Sequence, residues 1–179
     1  KDLIKVVTGV RRCGKSTLFD LYTEKLKNDG IKENQIIRIN LEDPIYHELD
    51  DYLKLYEHVM NQVNKDIKTY VFLDEVQNVK DFQKACDGIY LHKNIDLYIT
   101  GSNAYLLSGE LATLLSGRYI EIKMLPLSFK EFISAHEEKN VDRLFQKYLS
   151  FGSFPYVLNF ENLDDAGIYL KNIYDSIIL

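Results

Sequence analysis

Gly9-Val10-Arg11-Arg12-Cys13-Gly14-Lys15-Ser16-Thr17 fits the spacing G-x-x-x-x-G-K-[ST]. A chance match is expected on the order of once in 300 sequences of this composition. Each residue type has a physical reason to be there. Gly9 and Gly14 let the backbone turn tightly and bring N–H groups against phosphate oxygens. A helix starting directly after them adds its partial positive charge. Lys15 supplies an ammonium for β- and γ-phosphates, and the Ser16 hydroxyl a ligand for Mg²⁺. Thr17 is the next donor along, toward an α-phosphate. Val10, Arg11, Arg12 and Cys13 complete the backbone cradle, and the side chains of Arg11, Arg12 and Cys13 read as tolerated variation. Amide dipoles around Cys13 also raise a redox-sensitive reading of that thiol.

Outward from the loop, the pattern is an alternation. Apolar runs at 4–8, 36–40, 70–74, 96–100 and 119–123 read as strands. The last three are nearly continuous, which suits strands covered on both faces, while Lys5 and Arg38 interrupt the first two. Helical spacing appears between them. Residues 15–29 carry Leu18, Phe19, Tyr22 and Leu26 on one face, with Gly30 as a stop. Tyr52, Tyr56, Val59, Met60, Val63 and Ile67 repeat in the same way, as do Phe82, Ala85, Cys86 and Ile89. Leu111, Leu114 and Leu115 mark a short helix before the fifth strand. Alternating strands and helices predict an α/β fold with a parallel sheet over residues 1–124. From 125 onward the pattern is helical. Ser128 and Glu131 form a capping box ahead of Phe129, Phe132 and Ile133. A second helix carries Leu144, Phe145, Tyr148 and Leu149, and a third runs from about Asp165 with Ile168, Tyr169, Ile173 and Ile177. Residues 125–179 are therefore expected to form a helical, lid-like appendage. The apolar, uncapped ends read as those of a fragment.

The strand at 70–74 ends in Asp74-Glu75. Beside a phosphate loop, the first carboxylate meets the Mg²⁺ shell and the second orients and activates an attacking water. A base next to the metal carboxylate favours hydrolysis over transfer to a small acceptor. A guanine-reading Asn-Lys-x-Asp is not matched, because Asn64-Lys65-Asp66-Ile67 fails at its fourth place. After the fourth strand, Ser102 and Asn103 have two readings: γ-phosphate sensing, or capping the next helix. Arg118 is read as reaching a γ-phosphate, in its own subunit or in a neighbour's.

Bulk properties narrow the class. The net charge of −5 over 179 residues gives no indication of nucleic-acid binding. Cys13 and Cys86 form no CxxC pair, and the four histidines have no metal-ligand spacing, so a reducing cytoplasm is the default. No apolar run is long enough to span a bilayer.

The motifs Thr8–Ser16, Phe72-Leu-Asp-Glu-Val-Gln77, Tyr98-Ile-Thr-Gly-Ser-Asn103, Leu115-Ser-Gly-Arg-Tyr119 and Pro126-Leu-Ser-Phe129 together resemble those of the AAA-type ATPases of bacteria and archaea that carry a C-terminal nuclease-like domain. The resemblance covers nearly the whole chain. It implies an ASCE P-loop core with strand order 5-1-4-3-2, binding of ATP and ADP, and Mg²⁺-dependent hydrolysis that drives or gates a downstream domain. It also implies that Gly152-Ser-Phe-Pro155 is the lid's Gly-x-x-Pro element, with Ser153 departing from the usual Gly-Gly-x-Pro. By position Arg118 resembles an arginine finger, which in trans would require a homo-oligomer. Two rivals remain: a nucleotide-binding switch with little turnover, and a DNA-associated motor.

Overall fold

The computed structural model describes residues 3–101 and 115–178. Contacts group the chain into two compact units: Lys1–Thr8 with Lys15–Lys123, and Gly9–Gly14 with Met124–Leu179. The first contains a five-stranded sheet: β1 (Ile4–Thr8), β2 (Ile36–Asn40), β3 (Thr69–Asp74), β4 (Ile95–Thr100) and β5 (Tyr119–Lys123). The spatial order is β2-β3-β4-β1-β5, with every pairing parallel, which is the order expected of a P-loop fold. Parallel pairing requires crossovers, and these carry α1 (Lys15–Asn28), α2 (Tyr52–Met60) and α3 (Phe82–Tyr90).

Strand alternation assigns the two faces. Val71 and Leu73 point into a core with Ile37, Ile39, Leu97 and Ile99, closed by Leu55 and Val59 of α2 and by Phe82, Ala85, Cys86 and Ile89 of α3. Phe72 points the other way. It stacks on Tyr98 at 4.8 Å between ring centroids and meets Phe19 of α1 edge-on at 5.2 Å. Lys5 and Arg38 lie on this second face, which accounts for their interrupting apolar strands. Lys5 pairs with the buried Asp96, which also accepts from Lys68 at 2.9 Å. Arg38 reaches Asp20 of α1.

Two expectations need correction here. The repeat through Val63 and Ile67 is not one helix, because α2 ends at Met60. Asn64 instead accepts from the Asp66 N–H through its side chain, and Asn94 donates to the carbonyls of Asn64 and Ile67. Local side-chain bonds there outcompete another helical turn. Strand β5 is not covered on both faces: it is an edge strand paired only with β1, and Ile120 and Ile122 are exposed. The expected helix at Leu111 and Leu114 lies outside the described residues, and the neighbouring Leu115 is buried.

The second unit contains α4 (Phe129–Ser134), α5 (Val141–Phe151) and α6 (Leu163–Ile178). The Ser128–Glu131 capping box forms as expected and opens α4. Phe132, Leu144, Phe151, Val157 and Ala166 make its core. Phe145, Leu149 and Ile168, assigned to apolar faces from spacing, are exposed instead. The buried stripe of α5 runs through Leu144, Tyr148 and Phe151, so the face was misplaced by about one position. Gly152 caps α5 at φ 77° and Pro155 opens a 3-10 turn.

Candidate functional site

All five parallel strands of the first unit end at one edge of the sheet, and Asp74 and Thr100 are the last residues of two neighbouring ones. Asp74 closes β3 and is fully buried. The register Leu73↔Ile99 makes Thr100 its neighbour on β4. The Thr100 hydroxyl donates to Asp74 Oδ1 and accepts from the Glu75 N–H at 3.1 Å. One hydroxyl therefore fixes the side chain of the first carboxylate and the backbone of the second.

Glu75 adopts the left-handed region at φ 56° and ψ 51°. That conformation costs a non-glycine residue about 1–3 kcal/mol and persists only when its surroundings enforce it. The Thr100 bond is one such restraint. The carboxylate of Glu75 accepts one hydrogen bond, from Gln77 Nε2 to Oε2 at 2.6 Å, and Lys15 Nζ stands 4.0 Å from Oε1, an ion pair beyond hydrogen-bond distance. Lys15, the first residue of α1, is itself buried. The ammonium of the loop motif and the acid of the β3 motif, 60 residues apart in sequence, thus meet in this unit.

Arg38 of β2 completes the group. Its Nη2 contacts Asp20 Oδ1 at 2.7 Å, donates to the Ser16 carbonyl at 3.2 Å and lies 3.8 Å from Asp74 Oδ2. Among the described residues, Asp74 Oδ2 and Arg38 Nη1 are buried polar atoms without a hydrogen-bond partner. A fully buried carboxylate oxygen with an open acceptor site fits a hard cation or its water. Ser16 and Asp74 are both oxygen donors, as Mg²⁺ demands, and Mg²⁺ normally completes its shell with water and substrate phosphate. Among the described residues no group of three or more His, Cys, Asp or Glu could hold a metal ion by itself.

The loop residues Gly9–Gly14 belong to the second unit. A Cβ at Gly9 would come 2.5 Å from the Met124 carbonyl oxygen and 2.7 Å from Cys13 Sγ, so no side chain fits. Gly14 has φ 102°, and a Cβ there would lie 3.3 Å from Met124 Cε and 3.9 Å from Pro155 Cγ. Pro155, of the Gly-x-x-Pro element, is thus close to the loop within this unit. The Arg12 guanidinium lies 5.9 Å over the Tyr169 ring, and Arg11 is exposed. Val10 is exposed, with its carbonyl accepting from the Cys13 N–H at 3.2 Å. Cys13 is buried at 1% exposure, so the redox-sensitive reading has no accessible thiol to act on. Thr17 is exposed on α1. Ser102 and Asn103 lie outside the described residues.

Arg118 is not brought to this group. The register Ile4↔Tyr119 and the bond from the Ile4 N–H to the Arg118 carbonyl put it at the beginning of β5. Lys15, Asp74 and Glu75 cluster at the other ends of the strands. The five residues of β5 span about 16 Å at 3.3 Å per residue. Arg118 pairs there with Asp87, and its guanidinium lies 6.0 Å over the Tyr90 ring. The reading in which it reaches a phosphate of its own subunit is therefore withdrawn.

Sequence reasoning missed Thr100, Gln77 and Arg38. Thr100 was available as the polar residue closing the strand beside Asp74, once the order β3-β4 was assumed. Arg38 signalled itself as a charge inside an apolar strand.

Comparison with known proteins adds the following. A family model described as an AAA domain matches residues 1–133. An uncharacterized protein of Haemophilus influenzae is 43% identical over 185 residues, covering 99% of this chain and 46% of that protein. An uncharacterized protein of Methanocaldococcus jannaschii is 31% identical over 190 residues, covering 97% of this chain and 40% of its own length. The chain spans less than half the length of these relatives. The solved structure of PCH-2 from C. elegans aligns with TM-score 0.52 at 17% identity, over 74% of this chain and 37% of that one, a likeness of fold. No described helix is long and apolar enough to cross a membrane.

Proposed function

The chain belongs to the AAA domain family, a family of nucleotide-binding ATPases, and from that premise we propose that it binds ATP with Mg²⁺ and hydrolyses it. The observation that carries the reading is the approach of Lys15 Nζ to Glu75 Oε1, 4.0 Å, beside a buried Asp74 with an open oxygen. In this reading Lys15 and the amides of residues 9–14 bind phosphate, with Thr17 next to them along α1. Lys15 exchanges its contact with Glu75 for the β- and γ-phosphates. That releases Glu75 Oε1 to accept a proton from the attacking water. Ser16 and Asp74 would hold the metal, which supplies charge neutralisation on the phosphates when bound. Ser102 or Asn103 contacts the γ-phosphate, and Arg118 acts on the site of a neighbouring copy in a homo-oligomer. Residues 125–179 serve as a lid, and turnover drives or gates a downstream domain of the longer protein, in a cytoplasmic setting.

A second reading, a nucleotide-binding switch with little turnover, is favoured by one observation: Gln77 Nε2 donates to Glu75 Oε2 at 2.6 Å and so ties down the side chain assigned as base. Calorimetry with magnesium-ATP and phosphate-release assays separate the two. Hydrolysis requires that Glu75→Gln keep ATP affinity and lose turnover, and that Lys15→Ala lose affinity. Binding without measurable phosphate release at any protein concentration selects the switch. No heat of binding at all rejects both.

A further inference from the structure

Arg38 occupies a strand position beside the aromatic cluster of Phe19, Phe72 and Tyr98. Its neighbours Ile37 and Ile39 enter the core, while Arg38 turns toward α1, with its guanidinium 5.4 Å over the Phe19 ring. An apolar side chain would suit that face. Instead, a single nitrogen, Nη2, donates to the carbonyl of Ser16 at 3.2 Å and stands 3.8 Å from the side chain of Asp74. These are the two residues assigned above to the metal. The second distance exceeds a hydrogen bond, so Asp74 Oδ2 keeps its lone pairs open while its charge is offset. Asp20 holds the guanidinium in place through Nε at 3.0 Å and Nη2 at 2.7 Å.

We propose that the Arg38 guanidinium is a built-in stand-in for the magnesium ion: it anchors the main chain at Ser16, whose hydroxyl is the assigned ligand, and offsets the charge of the buried Asp74 before metal and nucleotide arrive. Arg38 is thus a positioning residue, and this role rests on the reading that Ser16 and Asp74 hold the metal. Its physical content is a substitution of one cation for another. Without Arg38, Asp74 becomes a buried charge lacking compensation, which destabilises the fold. A divalent cation can then restore the balance by itself. A strut that merely ties β2 to α1 would have no such sensitivity to metal.

The test compares thermal unfolding of nucleotide-free protein in chelator and in millimolar magnesium chloride. The wild type is expected to melt at nearly the same temperature in both. Arg38→Met, which keeps an unbranched chain over Phe19, should melt several degrees lower in chelator and recover at least half of that loss with magnesium. Manganese affinity, read by electron paramagnetic resonance without nucleotide, should rise about tenfold, because a nearby positive charge is gone. Arg38→Lys, which retains the charge, should stay insensitive to magnesium. Asp20→Asn, which loosens the strut but leaves the guanidinium, should lose the same stability in both buffers. If Arg38→Met does not fold, Arg38→Gln gives the same comparison with a donor to the Ser16 carbonyl retained. An equal loss with and without magnesium, together with unchanged manganese affinity, overturns the proposal. The parent reading is tested separately by Asp74→Asn. If magnesium-ATP still binds that variant with unchanged heat, the metal assignment itself falls. If the heat is lost and Arg38→Met is metal-insensitive, only the role of Arg38 falls.

Discussion

Replacing Thr100 by Val removes one oxygen and keeps nearly the same volume. The lost hydroxyl leaves Asp74 Oδ1 without its donor and the Glu75 N–H without its acceptor, both at a buried strand end. Each buried polar group left unsatisfied costs about 1–3 kcal/mol, and bonds to charged groups sit at the upper end of the usual range. The two groups share one partner and will not add fully, so the expected loss is about 2–4 kcal/mol. For a chain of 179 residues this corresponds to a fall of roughly 4–16 °C in melting temperature. Urea denaturation should show a lower midpoint with an unchanged slope, since the surface exposed on unfolding is the same. Thr100→Ser, which restores the hydroxyl, should recover most of the difference. Catalysis should suffer as well, because the left-handed backbone of Glu75 loses its restraint. A Thr100→Val protein within about 0.5 kcal/mol of wild type would refute the reasoning, since that is the range of inconsequential surface changes.

Other outcomes follow from the same geometry. Gly9→Ala places a methyl group 2.5 Å from the Met124 carbonyl oxygen, so the loop must shift; calorimetry should show loss of magnesium-ATP binding at a stability cost of about 1–3 kcal/mol. Burial pushes the Asp96 carboxyl up, but hydrogen bonds from Lys5 and Lys68 outweigh it and hold its pKa below the ordinary range. A lowered folded pKa contributes stability that is present above the unfolded value, near pH 4, and lost as pH falls through the folded one. Denaturant titrations should therefore show a falling acid limb below about pH 4 that flattens in Asp96→Asn. Burial pushes the Cys86 thiol up to about 12, so a disulfide reagent at mildly alkaline pH should label it only after unfolding.

The sheet was legible because parallel strands buried on two faces leave nearly continuous apolar runs, as in β3 and β4. Their bounds differ from expectation by a single residue at the N-terminal end. The approach of Lys15 to Glu75 was legible as a pairing of two motifs in which phosphate chemistry would restrict residue type and spacing together. What was not legible depended on tertiary partners. Beside the local bond to Asn64, the chain after α2 is held by Asn94, about 30 residues from its acceptors. The exposure of Phe145, Leu149 and Ile168 reflects which side of each short helix meets Phe132 and Val157, a choice that spacing alone leaves open. Thr100 and Arg38 act through neighbours on adjacent strands, which only the register identifies.

The distance between Arg118 and the acid pair limits how copies of this chain can cooperate. An arginine at the start of the strands can serve a site at their ends only where the foot of one sheet lies against the head of another. Copies stacked head to tail do this through a heterologous contact, which on repetition either closes a ring or runs on as a filament. A two-fold dimer does it only with its sheets side by side in opposite directions, so that residue 118 of each copy meets the acid pair of the other. Should Arg118 prove essential for turnover, sedimentation of the active species is expected to reveal an assembly, and a monomer would exclude action between copies.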